Sequence, residues 1–195
     1  MSEPSLHWDA GKLHFEFPLP DRELRFKELV VYISDRCLDD PTYSKTKLLK
    51  ILFYADFESY GRYNAPITGV PYRKLPHGPA PAYFSRMQAE MERDRLVRVV
   101  TRRVYDQSRQ RLLPLREPEF DLFSARDISI VDDWIRFFWN MTAKEISEHS
   151  HGKAWSITPD SDLIPYEAVF ISNEPVTEED AAKVKELSAR FGWKM

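Results

Sequence analysis

The sequence predicts an α+β fold, predominantly α-helical: a compact helical domain with one β-hairpin and a short N-terminal strand or arm. Three observations lead there. Apolar residues recur at helical spacing over 23–38, 43–63 and 79–94. Two strand-like runs, 96–105 and 109–115, flank the turn Asp106-Gln107-Ser108. Helix-start words, Ser124-x-x-Asp127, Thr142-x-x-Glu145 and Thr177-x-x-Asp180, punctuate the second half.

Each element has a local reason. Leu13, Phe15, Phe17 and Leu19 alternate with polar residues or Pro18, a period-two pattern that Pro18 and Pro20 end. It reads either as a strand capping the domain edge or as an arm that orders on a partner. Phe26, Leu29, Val30 and Ile33 form one face of the first helix, which Asp39-Asp40-Pro41 stops. The helix over 43–63 has a wide apolar arc. Leu48, Leu52 and Ala55 line one strip and Leu49, Phe53, Phe57 and Tyr60 the next, so it is expected at the centre. Gly61 and Asn64 end it. Pro79 and Pro81 suit the first turn of the third helix. In the hairpin, Val97, Val99, Leu113 and Leu115 are expected on one side. After the helices at 124 and 142, residues 159–175 read as loop, with a short strand at Ala168–Ile171. Val184, Leu187 and Phe191 continue a last helix.

Composition narrows the class. Of 195 residues, 43% are hydrophobic, including 12 Phe, 9 Tyr and 5 Trp, enough for a sizeable core and too many for wholesale disorder. The single cysteine, Cys37, permits no internal disulfide and no cysteine-based zinc site, and fits a reducing compartment. No leader pattern and no apolar run of about 18 residues occurs, so a soluble cytoplasmic protein is expected. The net charge of −3 hides an asymmetry. Between Arg93 and Arg116 stand eight arginines and two aspartates; between Glu117 and Asp180 stand fifteen acids and four bases. Such fields steer partners.

The most informative stretch is 47–81. A helix is followed by a loop stiffened by Pro66, Pro71, Pro76, Pro79 and Pro81 and bent at Gly69 and Gly78. Proline fixes φ and removes a donor, so the loop is expected to hold one shape and stay out of a sheet interior. Gly69, Gly78, Pro79 and Pro81 are the loop-shaping residues. A shaped loop beside a rigid helix makes a recognition surface.

Chemistry is sparse. Glu145 and His149 share a helix face at the spacing of two metal ligands, but no third ligand is placed beside them; a histidine meeting the last carbonyls of its helix is the simpler reading. His77, in Leu75-Pro-His-Gly-Pro79, has no local nucleophile or carboxylate, and reads as a loop anchor or a contact. Asp39 and Asp40 would raise the Cys37 pKa, so a structural cysteine is expected. Trp155 reads as core rather than interface. No catalytic residue, metal or cofactor is assigned. The arginine-rich hairpin after a helix is the order of a winged-helix nucleic-acid binder, which is the alternative function. Glu90, Glu92 and Asp94 on the preceding helix argue against it.

KLLKILFYADF at 47–57, Gly61-x-x-x-x-Pro66-Ile-Thr-Gly69, the Tyr72-x-x-Leu75-Pro-His-Gly-Pro-x-Pro81 loop and TAKEISEHSHGKAW at 142–155 together resemble the Panacea antitoxin domain, also called SocA-like or phage-associated GepA-like. The resemblance covers roughly 23–170. It implies an antitoxin of a bacterial or phage toxin–antitoxin pair. Such a protein neutralises a cognate toxin, encoded by the adjacent gene, through direct contact, and in some members works with a protease. It supplies no catalytic residues. The chain is expected to divide into an N-terminal arm at 1–22, outside the shared pattern and available as a partner-specific element, the antitoxin domain at 23–171 and a C-terminal helix packed on it at 172–195. The expected toxin contacts are Phe15, Phe17, Tyr72, Arg73, His77, Arg102 and Arg103. Lys47, Leu48, Phe53 and Tyr54 are expected in the scaffold.

Overall fold

Helix α2, Lys45–Tyr63, is the axis on which the other elements pack. The computed structural model describes residues 13–104, 107–171, Ala182 and Lys185, and of 102–104, 107 and 108 the backbone alone. The wide apolar arc of α2 is why it is central: Leu48, Ile51, Leu52, Phe53, Ala55, Phe57 and Tyr60 are all buried. Ser44 caps it by accepting the Lys47 N–H at 3.3 Å, and Asn64 ends it in a left-handed conformation. Helix α1, Arg22–Arg36, lies alongside and buries Phe26, Leu29, Val30 and Ile33, the face read from its periodicity. Helix α3, Phe84–Arg93, starts later than Pro79. The residues before it are taken by a sheet.

That sheet was not anticipated. Strands β1, Tyr72–Arg73, and β2, Ala80–Pro81, pair antiparallel within the proline-rich loop, and β5, Leu163–Ile164, pairs with the other edge of β1. The order β2-β1-β5 leaves Pro81 on an edge strand, where its missing N–H removes no ladder bond. Both edges of β1 are thereby occupied. Residues Tyr166–Phe170 form a 3-10 helix instead of the expected strand at 168–171, with the Tyr166 ring stacked on Phe57 at 4.7 Å.

Strands β3, Val97–Val104, and β4, Gln107–Pro114, form the hairpin. Val104 pairs with Gln107, so Gln107 and Ser108 belong to β4 rather than to the expected turn at 106–108; residues 105–106 lie outside the described residues. The register pairs Val99 with Leu112, so the inward residue of β4 is Leu112; Leu113 is half-buried and Leu115 exposed. Arg116 anchors the exit of the hairpin on the buried Glu28 of α1, its Nη1 at 2.9 Å from the carboxylate. Helices α4, Ala125–Phe138, and α5, Ala143–His149, begin with the full capping boxes read from Ser124/Asp127 and Thr142/Glu145. A short α6, Lys153–Ile157, follows. The Thr177-x-x-Asp180 word and the expected C-terminal helix lie outside the described residues, save Ala182 and Lys185, which are helical.

No strand forms over Leu13–Asp21. The segment docks by single hydrogen bonds: Phe17 N–H to the Gly69 carbonyl at 2.9 Å, and Tyr166 N–H to the His14 carbonyl at 2.8 Å. Phe17 packs on Tyr60 and Tyr166, while Leu13 and Phe15 remain exposed. The alternation thus describes an arm whose bend at Phe15 and whose Pro18 and Pro20 prevent a ladder. Among the described residues, no helix is long and apolar enough to cross a membrane.

Candidate partner-binding site

Two segments far apart in sequence meet around residues 74–79. The Leu75 carbonyl accepts the Gly78 N–H at 2.9 Å and the Trp155 indole N–H at 3.1 Å. Lys74 holds the base of the loop, its ammonium 2.7 Å from the Thr158 carbonyl, 3.2 Å from Asp160 and over the Trp155 ring. His151 stacks on the Trp155 ring, with centroids 4.0 Å apart. Gly78 has φ 87°, and a side chain there would meet Ser150 Oγ and lie 2.8 Å from Lys50 Nζ. The Pro79 carbonyl accepts from Lys50 Nζ at 2.6 Å. The loop is therefore gripped at Leu75, Gly78 and Pro79, and its tip, His77, is exposed.

The tip overlooks a cleft of about 870 Å³ between the start of α2, the loop, α5 and β4. Lys45, Lys50, His77, Arg109, Lys144 and Glu148 supply its charged or titratable lining. Burial pushes the Lys50 ammonium down to about 7. Burial, and then the Lys50 charge, lower the His151 pKa. A second groove, of about 500 Å³, is aromatic: Phe53, Tyr54, Trp134, Trp155 and Phe170 line it.

The expected contact residues do not form one patch. His77 borders the cleft. Tyr72 is fully buried, its hydroxyl oxygen 2.9 Å from the Leu52 carbonyl and 2.8 Å from the Asp56 carboxyl with one O–H shared between them, so it belongs to the frame. Arg73 is half-buried and donates to the Ser161 carbonyl. Phe15 and Phe17 lie with the arm, towards the other end of α2. Arg102 and Arg103 face Arg109 and Ser108 in the hairpin register, and their side chains lie outside the described residues. Gly69 has φ 71° and lies against Phe17, so it shapes both the loop and the seat of the arm.

The remaining candidates resolve structurally. Glu145 turns back to its own helix start, accepting the Thr142 N–H at 2.7 Å, while the His149 ring packs among Tyr54, Phe137 and Phe138. Among the described residues, no group of three or more His, Cys, Asp or Glu side chains is arranged to hold a metal ion. Cys37 is buried, and burial with the Asp40 charge pushes its thiol up to about 12. Trp155 is half-buried and ties the loop rather than filling the core. Two hairpin arginines turn inward: Arg111 donates to the Leu38 carbonyl at 3.0 Å, and Arg116 pairs with Glu28. On α3, Glu90 pairs with Lys27 at 2.9 Å.

Lys45, Lys50, Arg109 and Lys144, which line the cleft, carry no motif in the sequence. The available signal was the position of Lys50 between Leu49 and Ile51, inside the buried arc of the helix.

A family model described as antitoxin SocA-like, Panacea domain matches residues 48–156, a span that includes Lys50, the His77 loop and Trp155. No curated protein and no solved structure matches the chain.

Proposed function

The chain belongs to the antitoxin SocA-like, Panacea domain family, and from that premise we propose that it neutralises a cognate toxin, encoded by the adjacent gene, through direct protein–protein contact. The observation that carries this reading is the held loop: three residues fasten it and its tip, His77, is left exposed. A preorganised loop loses little freedom on binding, which favours affinity. The proposed contacts are His77 and Arg73 on the loop, Phe15 and Phe17 on the arm, and Arg102 and Arg103 on the hairpin. Tyr72 leaves the set because a fully buried ring offers no surface. Residues 1–22 act as the partner-specific element. Neutralisation works by covering the toxin's active site or holding the toxin inactive, without a reaction carried out by this protein, in the cytoplasm, with a protease as a further partner.

The test is co-expression with the product of the adjacent gene. Growth is followed with the neighbour alone, with both proteins and with this protein alone. Relief of the neighbour's toxicity, together with co-purification, supports the reading. A neighbour that is harmless, or whose toxicity persists, defeats it.

A further inference from the structure

Two buried lysines on α2 are treated differently. Lys47 has a counter-ion, Asp40, and two more acceptors, Thr42 Oγ1 at 2.7 Å and the Phe138 carbonyl at 2.9 Å. Three ammonium protons thus meet three oxygens. Lys50 is 2% exposed and has the Pro79 carbonyl at 2.6 Å, with no carboxylate within ion-pair distance among the described residues. A buried ammonium without a counter-ion is costly, and such groups mark functional sites. Lys50 lines the cleft described above, so the missing charge has a place to arrive.

The rest of the cleft points the same way. Lys45, Arg109 and Lys144 line it, and the one acidic residue among its described lining, Glu148, already faces Lys144 at 3.9 Å. The start of α2 also borders it, and the first turn of that helix carries no acidic residue, so its positive end is unmet by its own sequence. A volume of about 870 Å³ admits several residues of a chain.

We propose that this cleft receives an aspartate or glutamate side chain from a protruding acidic segment of the partner, with Lys50 as the buried counter-ion. The identity of the partner as a toxin rests on the reading given above; the carboxylate site does not. The charged and titratable groups around Lys50 are Lys45 and Lys47 on α2, His77 on the loop, Lys144 and Glu148 on α5, His151 after it and Arg109 on β4. An entering carboxylate favours the protonated amine, so binding takes up a proton at mildly alkaline pH.

The test uses the full chain and two synthetic peptides, Ac-Gly-Glu-Asp-Glu-Gly-amide and its Gln/Asn counterpart, titrated calorimetrically at about pH 8 in buffers of different ionisation heat. The acidic peptide is expected to bind at least about tenfold more tightly than the amide peptide. Proton uptake is expected in the wild type and not in Lys50→Met. Lys144→Glu, on the exposed rim, is expected to lose the preference without disturbing the fold. Equal affinity for the two peptides overturns the proposal, as does a preference that survives both substitutions. Tighter binding of inorganic phosphate or a short single-stranded oligonucleotide assigns the cleft to phosphate and overturns it too. Peptide preference with no relief of toxicity in co-expression defeats the antitoxin reading alone. Relief of toxicity with no peptide preference defeats this site alone.

Discussion

Trp155 donates its indole N–H to the Leu75 carbonyl at 3.1 Å, and that carbonyl also receives the Gly78 N–H at 2.9 Å. One oxygen thereby joins the end of the family-matched region to the Leu75–Gly78 turn of the proline-rich loop. Trp155→Phe keeps a ring for the His151 stack and removes the donor. A loss of about 1 kcal/mol is expected, with faster hydrogen exchange at the Gly78 amide. Unchanged exchange there would show that the loop does not need the indole.

Gly78→Ala meets two obstacles, a positive φ of 87° and the crowding of Ser150 Oγ and Lys50 Nζ. The expected destabilisation is at least about 2 kcal/mol in denaturant melts. Adding Ser150→Ala relieves one contact and leaves the backbone strain, so recovery is expected to be partial. Full recovery would place the whole effect on Ser150.

Burial lowers the Lys50 pKa to about 7, while the unfolded chain keeps that proton up to the ordinary lysine range. Above pH 7 the unfolded state therefore binds more protons at this site, and stability rises with pH. From about pH 9 upwards the slope reverses, because Cys37 and the buried tyrosines hold their protons longer when folded. The gain from Lys50 is thus read between about pH 7 and 9, and is at most about 3 kcal/mol over that window. Lys50→Met is expected to flatten this rise in melts compared across pH. An identical slope in the variant would count against a buried, uncompensated ammonium.

Glu167 fastens the arm by accepting the His14 N–H at 2.9 Å, His14 Nδ1 at 2.6 Å and the Tyr60 hydroxyl at 2.8 Å. Burial pushes its pKa up, and these hydrogen bonds outweigh burial and hold it below the ordinary value. That stabilisation is present above the ordinary glutamate range and is lost as pH falls through the lowered value. Glu167→Ala is expected to cost about 1–3 kcal/mol and to speed exchange of the Tyr166 amide, which donates to His14. A protected Tyr166 amide in the variant would mean that the arm docks without Glu167.

Local signals predicted local structure. The Ser124 and Thr142 capping boxes form as read, because each is complete within four residues. The helix faces of α1 and α2 follow their periodicity. Strands of two residues, such as Tyr72–Arg73 and Leu163–Ile164, carry no period to read, and their pairing joins positions about ninety residues apart. The hairpin register begins at Val104 and Gln107, residues expected in and beside the turn, and this register sets Leu112 opposite Val99. Within the site, His77 was legible from its setting between Pro76 and Gly78. Lys50 was not, since a lysine in a helix usually reaches solvent; here the loop folds over it and the Pro79 carbonyl accepts its hydrogen bond.

Helix α2 meets the arm at Tyr60 and the cleft at Lys50, about 15 Å apart along its axis. Substitutions so separated contribute nearly independently. A partner that grips both ends gains avidity, because the second contact forms within an already tethered pair. Drift at one end then retunes which partner is chosen while the other end preserves attachment, a route by which one scaffold can change allegiance without first losing its grip.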